Sequence, residues 1–143
     1  MNYIKEVYRR NKIFANLGTA HLIIAVMLAI YFPFNENIVT GLNSVVKPIK
    51  FALSIAIYSY SMGWLLYYLD YKKKVIIYSW VAVIAMGFEQ LAITFQALRG
   101  QQSHFNHTTP FNGILYGLMG VFILTLTLWT GYCIKKVCKV KNL

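Results

Sequence analysis

The chain has 143 residues, 58% of them hydrophobic and only 13% charged, with a mean hydropathy of +0.53. Soluble domains carry about 45–50% apolar and roughly 25% charged residues, and disorder needs low hydrophobicity, so both classes are excluded and a membrane protein remains. The formal net charge of +10 arises from 14 Lys and Arg against 4 Asp and Glu. These bases gather between apolar runs, which is the positive-inside pattern of a membrane protein and argues against nucleic acid as the partner.

A hydrocarbon core of about 30 Å takes about 20 apolar residues to cross. Four segments qualify, at about residues 13–34, 48–69, 75–98 and 111–134. The first follows Lys5, Arg9, Arg10 and Lys12. Its basic start resembles a secretory leader, but its apolar run exceeds the about 7–15 residues of such a leader and no small-x-small site follows. A retained helix is expected. His21 shares a face with Gly18, Ala25 and Ala29, residues small enough to admit a neighbouring helix, and it reads as a hydrogen-bonded packing residue. A transmembrane haem wants two axial side chains at similar depth, and no second His lies in any span; nothing points to Met62, Met86 or Met119 as a ligand.

The second span begins at Pro48, where a missing N–H costs nothing. Lys47, Lys50, Ser54, Tyr58 and Ser61 follow one another there at helical spacing. Lys72, Lys73 and Lys74 form a short basic turn, so the second and third spans make an antiparallel hairpin. On the third span Ala82, Ala85, Glu89, Ala92, Gln96 and Arg99 share a face. Glu89 is the only carboxylate inside a span, about 21 Å beyond Val75 at about 1.5 Å per residue. The two stripes are expected to face each other, with Lys50 as the direct partner of Glu89. Arg99, about 15 Å farther along the same helix, would reach Glu89 only through Gln96 or water. An ionisable group inside a span is costly and functional by default. Two readings stay open: a cationic pocket with Glu89 at its floor, or a buried ion-pair network that sets helix register.

The loop of residues 99–110 reads Arg99-Gly100-Gln101-Gln102-Ser103-His104-Phe105-Asn106-His107-Thr108-Thr109-Pro110 and is the chemically densest stretch. His104 and His107 are three apart, unlike the pair four apart in H-E-x-x-H, and no third loop carboxylate is close, so no metal site is expected. Asn106-His107-Thr108 is a formal glycosylation sequon. The fourth span carries Gly113-x-x-x-Gly117 and Gly120, a pattern expected to pack closely on another span or on a second copy. Cys133 and Cys138 match neither a zinc knuckle nor a C-x-x-C pair and read as reduced thiols at a cytoplasmic end.

Glu89-Gln90, the run Arg99-Gly100-x-x-Ser103-His104-Phe105-Asn106, and Lys47-Pro48-x-Lys50-Phe51-Ala52-Leu53-Ser54 together resemble a pattern in a family of small, uncharacterised bacterial four-span membrane proteins of about this length. The resemblance touches the second, third and fourth spans. It implies that the polar cluster is one coherent unit, and it brings no activity or catalytic residue with it.

The expected fold is all-α: a single domain, residues 1–143, forming a four-helix transmembrane bundle with both termini cytoplasmic. Eleven of the 14 Lys and Arg then lie on one side, leaving Lys47, Lys50 and Arg99 on the other. Tyr67, Tyr68, Tyr71, Trp80, Trp129 and Tyr132 would anchor the inner interface. The expected location is the bacterial cytoplasmic membrane. The expected function is to bind or pass a small anionic solute or a lipid headgroup in an outward-facing pocket. Its residues would be Lys47, Lys50, Glu89, Gln96, Arg99, Ser103, His104 and Asn106. The alternatives are an enzyme at the outer surface, with His104 as general base and Glu89 as its partner, or an accessory subunit of a larger membrane complex. No G-x-S-x-G, H-E-x-x-H or P-loop motif supports an enzyme. The residues name no cofactor. The expected partners are the bilayer, the anionic ligand and a second copy of the chain.

Overall fold

A computed structural model describes residues 3–69 and 72–141, with side chains as far as Lys139. Tyr71 and the Lys141 side chain lie outside the described residues. The helices in chain order are α1 (Tyr3–Arg10), α2 (Lys12–Tyr31), α3 (Val46–Leu65), α4 (Lys72–Leu98) and α5 (Pro110–Lys141). A two-stranded antiparallel hairpin, β1 (Ile38–Val39) and β2 (Leu42–Asn43), lies between α2 and α3. With the short 3₁₀ turns that extend α2 and α3, four helices are long and apolar enough to cross a membrane: Lys12–Phe34, Val46–Tyr68, Lys72–Leu98 and Pro110–Lys139. These fall on the four expected spans.

The short helix α1 is an element beyond those four. Its sequence is amphipathic, with buried Glu6 and Val7 on one face. Arg9 donates to both Glu6 carboxylate oxygens at 2.9 and 2.7 Å, and Arg10 Nε donates to Oε1 at 2.8 Å. The Arg10 guanidinium lies 3.8 Å from the Trp64 ring centroid, and Tyr3 stacks on the same Trp64. Arg10 and Tyr3 therefore tie α1 to the end of α3. Asn11 then caps α2, accepting from Phe14 N at 3.0 Å, while its Nδ2 donates to Ser79 Oγ of α4 at 3.0 Å.

Small residues decide the closest approach. Gly18 of α2 sits beneath the Tyr60 ring of α3, and Gly63 leaves so little space that an added Cβ would lie 2.8 Å from Val7 Cγ1. The buried face of α3 is Ala52, Ile55, Ala56, Ser59, Met62 and Gly63. This corrects the expected stripe of Lys47, Lys50, Ser54, Tyr58 and Ser61, because Lys47, Lys50, Ser54 and Ser61 are exposed. The physical reason is packing: Ala, Gly and Ser59 let the backbones approach, whereas the long Lys side chains at that interface would hold them apart. The α4 stripe is buried as expected from Ala82 to Gln96.

Phe14, Leu17, Ile55, Met62, Leu66, Tyr78, Ala82, Ala85 and Leu126 form the main core. Within it, the hydroxyls of Tyr58, Tyr78 and Thr130 bond to one another, joining α3, α4 and α5. Helix α5 buries Asn112, Met119, Leu126 and Cys133 at seven-residue spacing and Val137 one turn beyond, so a single narrow seam seats it. Its glycines lie elsewhere. An added Cβ at Gly117 or Gly120 would meet nothing, and at Gly113 only the His107 ring. Within this chain the glycine pattern does not make the expected close helix contact.

Candidate binding cavity

The end of the bundle opposite α1 is built from the hairpin and the loop after α4. The hairpin turns at Thr40-Gly41, both with positive φ (52° and 80°), the geometry a two-residue turn requires to match strand twist. Helix α4 ends at Gly100, φ +64°. There Gly100 N bonds to Ala97 O at 3.0 Å and Gln101 N to Gln96 O at 2.9 Å, a left-handed cap that satisfies terminal carbonyls. The hairpin segment shares one of these terminal carbonyls and takes one more. Ser44 Oγ donates to Ala97 O at 2.8 Å, and Asn37 Nδ2 to Leu98 O at 3.0 Å. Asn35 and Asn43 then brace the hairpin internally through mutual amide bonds. The helix end and the hairpin thus hold each other.

The second loop is held by a buried amide that the sequence reading passed over. Asn112, at the start of α5, accepts from Gln96 Nε2 at 2.9 Å and donates to Gln101 Oε1 and Thr108 Oγ1, both at 3.0 Å. Thr109 caps the helix just before Pro110, accepting from Asn112 N at 3.2 Å, an arrangement that suits both residues. Asn106 turns inward and accepts from Thr108 N and Oγ1 at 3.1 and 2.7 Å. The only signal for Asn112 was a lone amide in an otherwise apolar first turn.

Between these loops, α3 and α4 lies a cavity of about 670 Å³. Lys47, Lys50, Ser103 and His104 line it with Ala97, and Phe51, Ser54 and Ile93 lie deeper along the helices. Lys47 Nζ lies 3.1 Å from His104 Nδ1, and Ser103 Oγ lies 3.0 Å from the same nitrogen. Burial, and then the Lys47 charge, hold the His104 imidazole below its ordinary range, so its neutral form accepts from the ammonium. Neither Lys47 nor Lys50 is within salt-bridge distance of a carboxylate; among the described residues, the ion pairs are those of Glu6. Thr40 and Phe105 on the rim both adopt positive φ (52° and 56°) without being glycine. Such strain is found where the surroundings over-determine a conformation, often at ligand sites.

The other four expected site residues do not line this cavity. Gln96 and Asn106 are buried in the network around Asn112, and Arg99 donates to Gln96 Oε1 at 3.2 Å. Arg99 is thereby joined to Gln96, but Gln96 passes the chain to Asn112 and not to Glu89. Glu89 is 1% exposed, and neither carboxylate oxygen has a hydrogen-bond partner. The expected direct pairing with Lys50 is absent; instead Gln90 Nε2 donates to Pro48 O at 3.3 Å, which sets the start of α3 and Lys47 beside this part of α4. Lys50 is exposed and lines the cavity, whereas Glu89 is buried and does not line it. His104 likewise bonds with Lys47 and Ser103 and not with Glu89, so the expected His104–Glu89 couple is not formed. Among the described residues, no three His, Cys, Asp or Glu gather as metal ligands. His21 is a packing residue whose Nδ1 bonds to Leu17 O at 2.9 Å, leaving Nε2 buried and unpartnered.

Comparison with protein-family models, curated proteins and solved structures returned no match.

Proposed function

We propose that this protein sits in a bacterial cytoplasmic membrane with both termini inside, and that its outward cavity binds an anionic lipid headgroup. The orientation rests on charge. The basic clusters at α1, at the α4 start and at the α5 end share one side of the bundle, and the hairpin end carries only Lys47, Lys50 and Arg99, in line with the positive-inside rule.

One observation carries the ligand class: two lysines line a cavity and, among the described residues, neither has a carboxylate within salt-bridge distance. An anion supplies that charge. The amphiphilic character comes from the walls. Ser54 lies about 10 Å beyond Lys47 along α3 at about 1.5 Å per residue, and Phe51 and Ile93 flank that path. Lys50, Leu53 and Ser54 are exposed on the side of α3 that would meet lipid. A phosphate headgroup fits between Lys47, Lys50 and Ser103, with an acyl chain running down the Phe51 wall. A polar solute would leave that wall unused.

Native mass spectrometry of protein released from membranes in mild detergent tests this reading. The expected result is a bound anionic phospholipid that is lost in a Lys47→Gln, Lys50→Gln variant. Equal retention of zwitterionic lipid, or no lipid in either protein, would refute it.

A further inference from the structure

We propose that Glu89 is a proton-binding site coupled to the cavity, so that this protein takes up an anion and a proton together. The proposal rests on the reading of the cavity as an anion site. Its own basis is the placement of Glu89. The carboxylate is 1% exposed and lacks any hydrogen-bond partner. Ala92 and Met119 pack with Ile93 in an apolar cluster immediately outward of it. An ionised carboxylate there needs a compensating cation, and the 3.3 Å hydrogen bond from Gln90 Nε2 to Pro48 O sets the start of α3, with Lys47, beside this part of α4.

Lys47 therefore serves two negative groups. Its ammonium also lines the cavity and donates to His104 at 3.1 Å. Without an anion in the cavity, Lys47 compensates Glu89. An anion bound beside Lys47 cancels that field, and Glu89 then takes a proton from the aqueous solution. One O–H bond forms, and the charge added by a monoanion is balanced by the proton. When the anion leaves, the proton follows. Linkage makes the effect reciprocal: whatever affinity the anion adds for the proton, the proton adds for the anion.

The titratable and polar groups on the elements packed around this part of α4 are few. Gln90 on α4 is engaged with Pro48 O and Thr94 Oγ1. Helix α3 brings Lys47, with Lys50 across the cavity. Helix α2 brings His21: Asn11 bonds to Ser79 across α2 and α4, and ten residues farther along each helix stand His21 and Glu89, at matching depth. Helix α5 brings Met119 and Asn112, which do not titrate. The loop brings His104, the rival explanation for any pH dependence.

Calorimetric titration in zwitterionic nanodiscs separates these. The probes are dihexanoyl-phosphatidylglycerol and, in a second arm, glycerol phosphate, which distinguishes a lipid from a free phosphate. Measurement in two buffers of different ionisation enthalpy gives the protons taken up per anion. The expected result is uptake approaching one proton, with affinity rising by up to about tenfold per unit fall in pH. Glu89→Gln should bind the probe with no uptake and a flat pH profile, while His104→Gln keeps the uptake. Binding without uptake, or uptake unchanged in Glu89→Gln, would overturn the coupling and leave the cavity reading intact. Failure of both probes to bind would overturn both. Should Glu89→Gln not fold, infrared difference spectra of the unaltered protein decide: binding must raise a carboxylic-acid band, and its absence refutes the proposal.

Discussion

The ammonium of Lys47 lies 3.1 Å from Nδ1 of His104, across the gap between α3 and the loop that follows α4. A lysine donating to an imidazole lone pair fixes the neutral tautomer with its proton on Nε2. Because burial and then Lys47 hold this imidazole low, its protonated form is disfavoured in the fold. The stabilisation is fully present above the ordinary histidine range and is lost as pH falls through the lowered value. Lys47→Met removes the second cause and leaves the first. Nitrogen-15 shifts of the labelled ring should then show His104 titrating at higher pH than in the unaltered protein. A titration that does not move would mean Lys47 exerts no field there.

At the other end of the bundle, Glu6 is held at about 2, first by its hydrogen bonds from Arg9 and then by those from Arg10. Its folded value is depressed, so its contribution is present above the ordinary carboxylate range. It is lost as pH falls from about 4.5 toward about 2. Glu6→Gln should flatten acid unfolding in that window, followed by Trp64 fluorescence, since Arg10 stacks on that ring. Identical acid profiles would show that the ion pairs do not hold α1.

Gly63 and Gly120 make opposite predictions. A methyl at Gly63 would meet Val7 Cγ1 at 2.8 Å and Phe14 Cβ at 3.3 Å, both in the tight α1–α2–α3 junction. Gly63→Ala should cost about 1–3 kcal/mol by overpacking. Gly120→Ala meets nothing and should be neutral, or stabilise by up to about 1 kcal/mol through helix propensity. Thermal unfolding in detergent compares them. A loss at Gly120 like that at Gly63 would reveal a second copy packed on α5.

Orientation has its own test. In a chain lacking Cys133 and Cys138, single cysteines at Gln101 and Lys73 report opposite sides. An impermeant thiol reagent applied to intact cells should label the first and spare the second. The reverse pattern would invert the topology.

The four long helices were legible because each is an apolar run bounded by lysines or proline, and the hydrophobic length alone identifies it. Lys47, Lys50, Ser103 and His104 were legible as a group because a cationic polar cluster inside an apolar chain has little other explanation. The rotation of α3 was not. Polar spacing pointed one way, but Ala52, Ala56 and Gly63 set the contact, and backbone proximity outweighed polar pairing. Helix α1 escaped notice because eight residues with Glu6, Arg9 and Arg10 carry no apolar run. The Lys47–His104 contact spans 57 positions, a tertiary fact that no local pattern contains. Asn112 was missed for a related reason: its partners Gln96, Gln101 and Thr108 converge only once the loop has folded back.

The cavity itself is tested most directly by equilibrium titration of the protein in zwitterionic nanodiscs with dihexanoyl-phosphatidylglycerol against dihexanoyl-phosphatidylcholine. The acyl chains are identical, so any preference reads the headgroup charge. The account predicts saturable binding of the anionic lipid, weakened by salt and by at least about tenfold in Lys47→Gln, Lys50→Gln, which corresponds to about 1.4 kcal/mol. Equal affinity for the two lipids, or an unchanged affinity in the double variant, would contradict it.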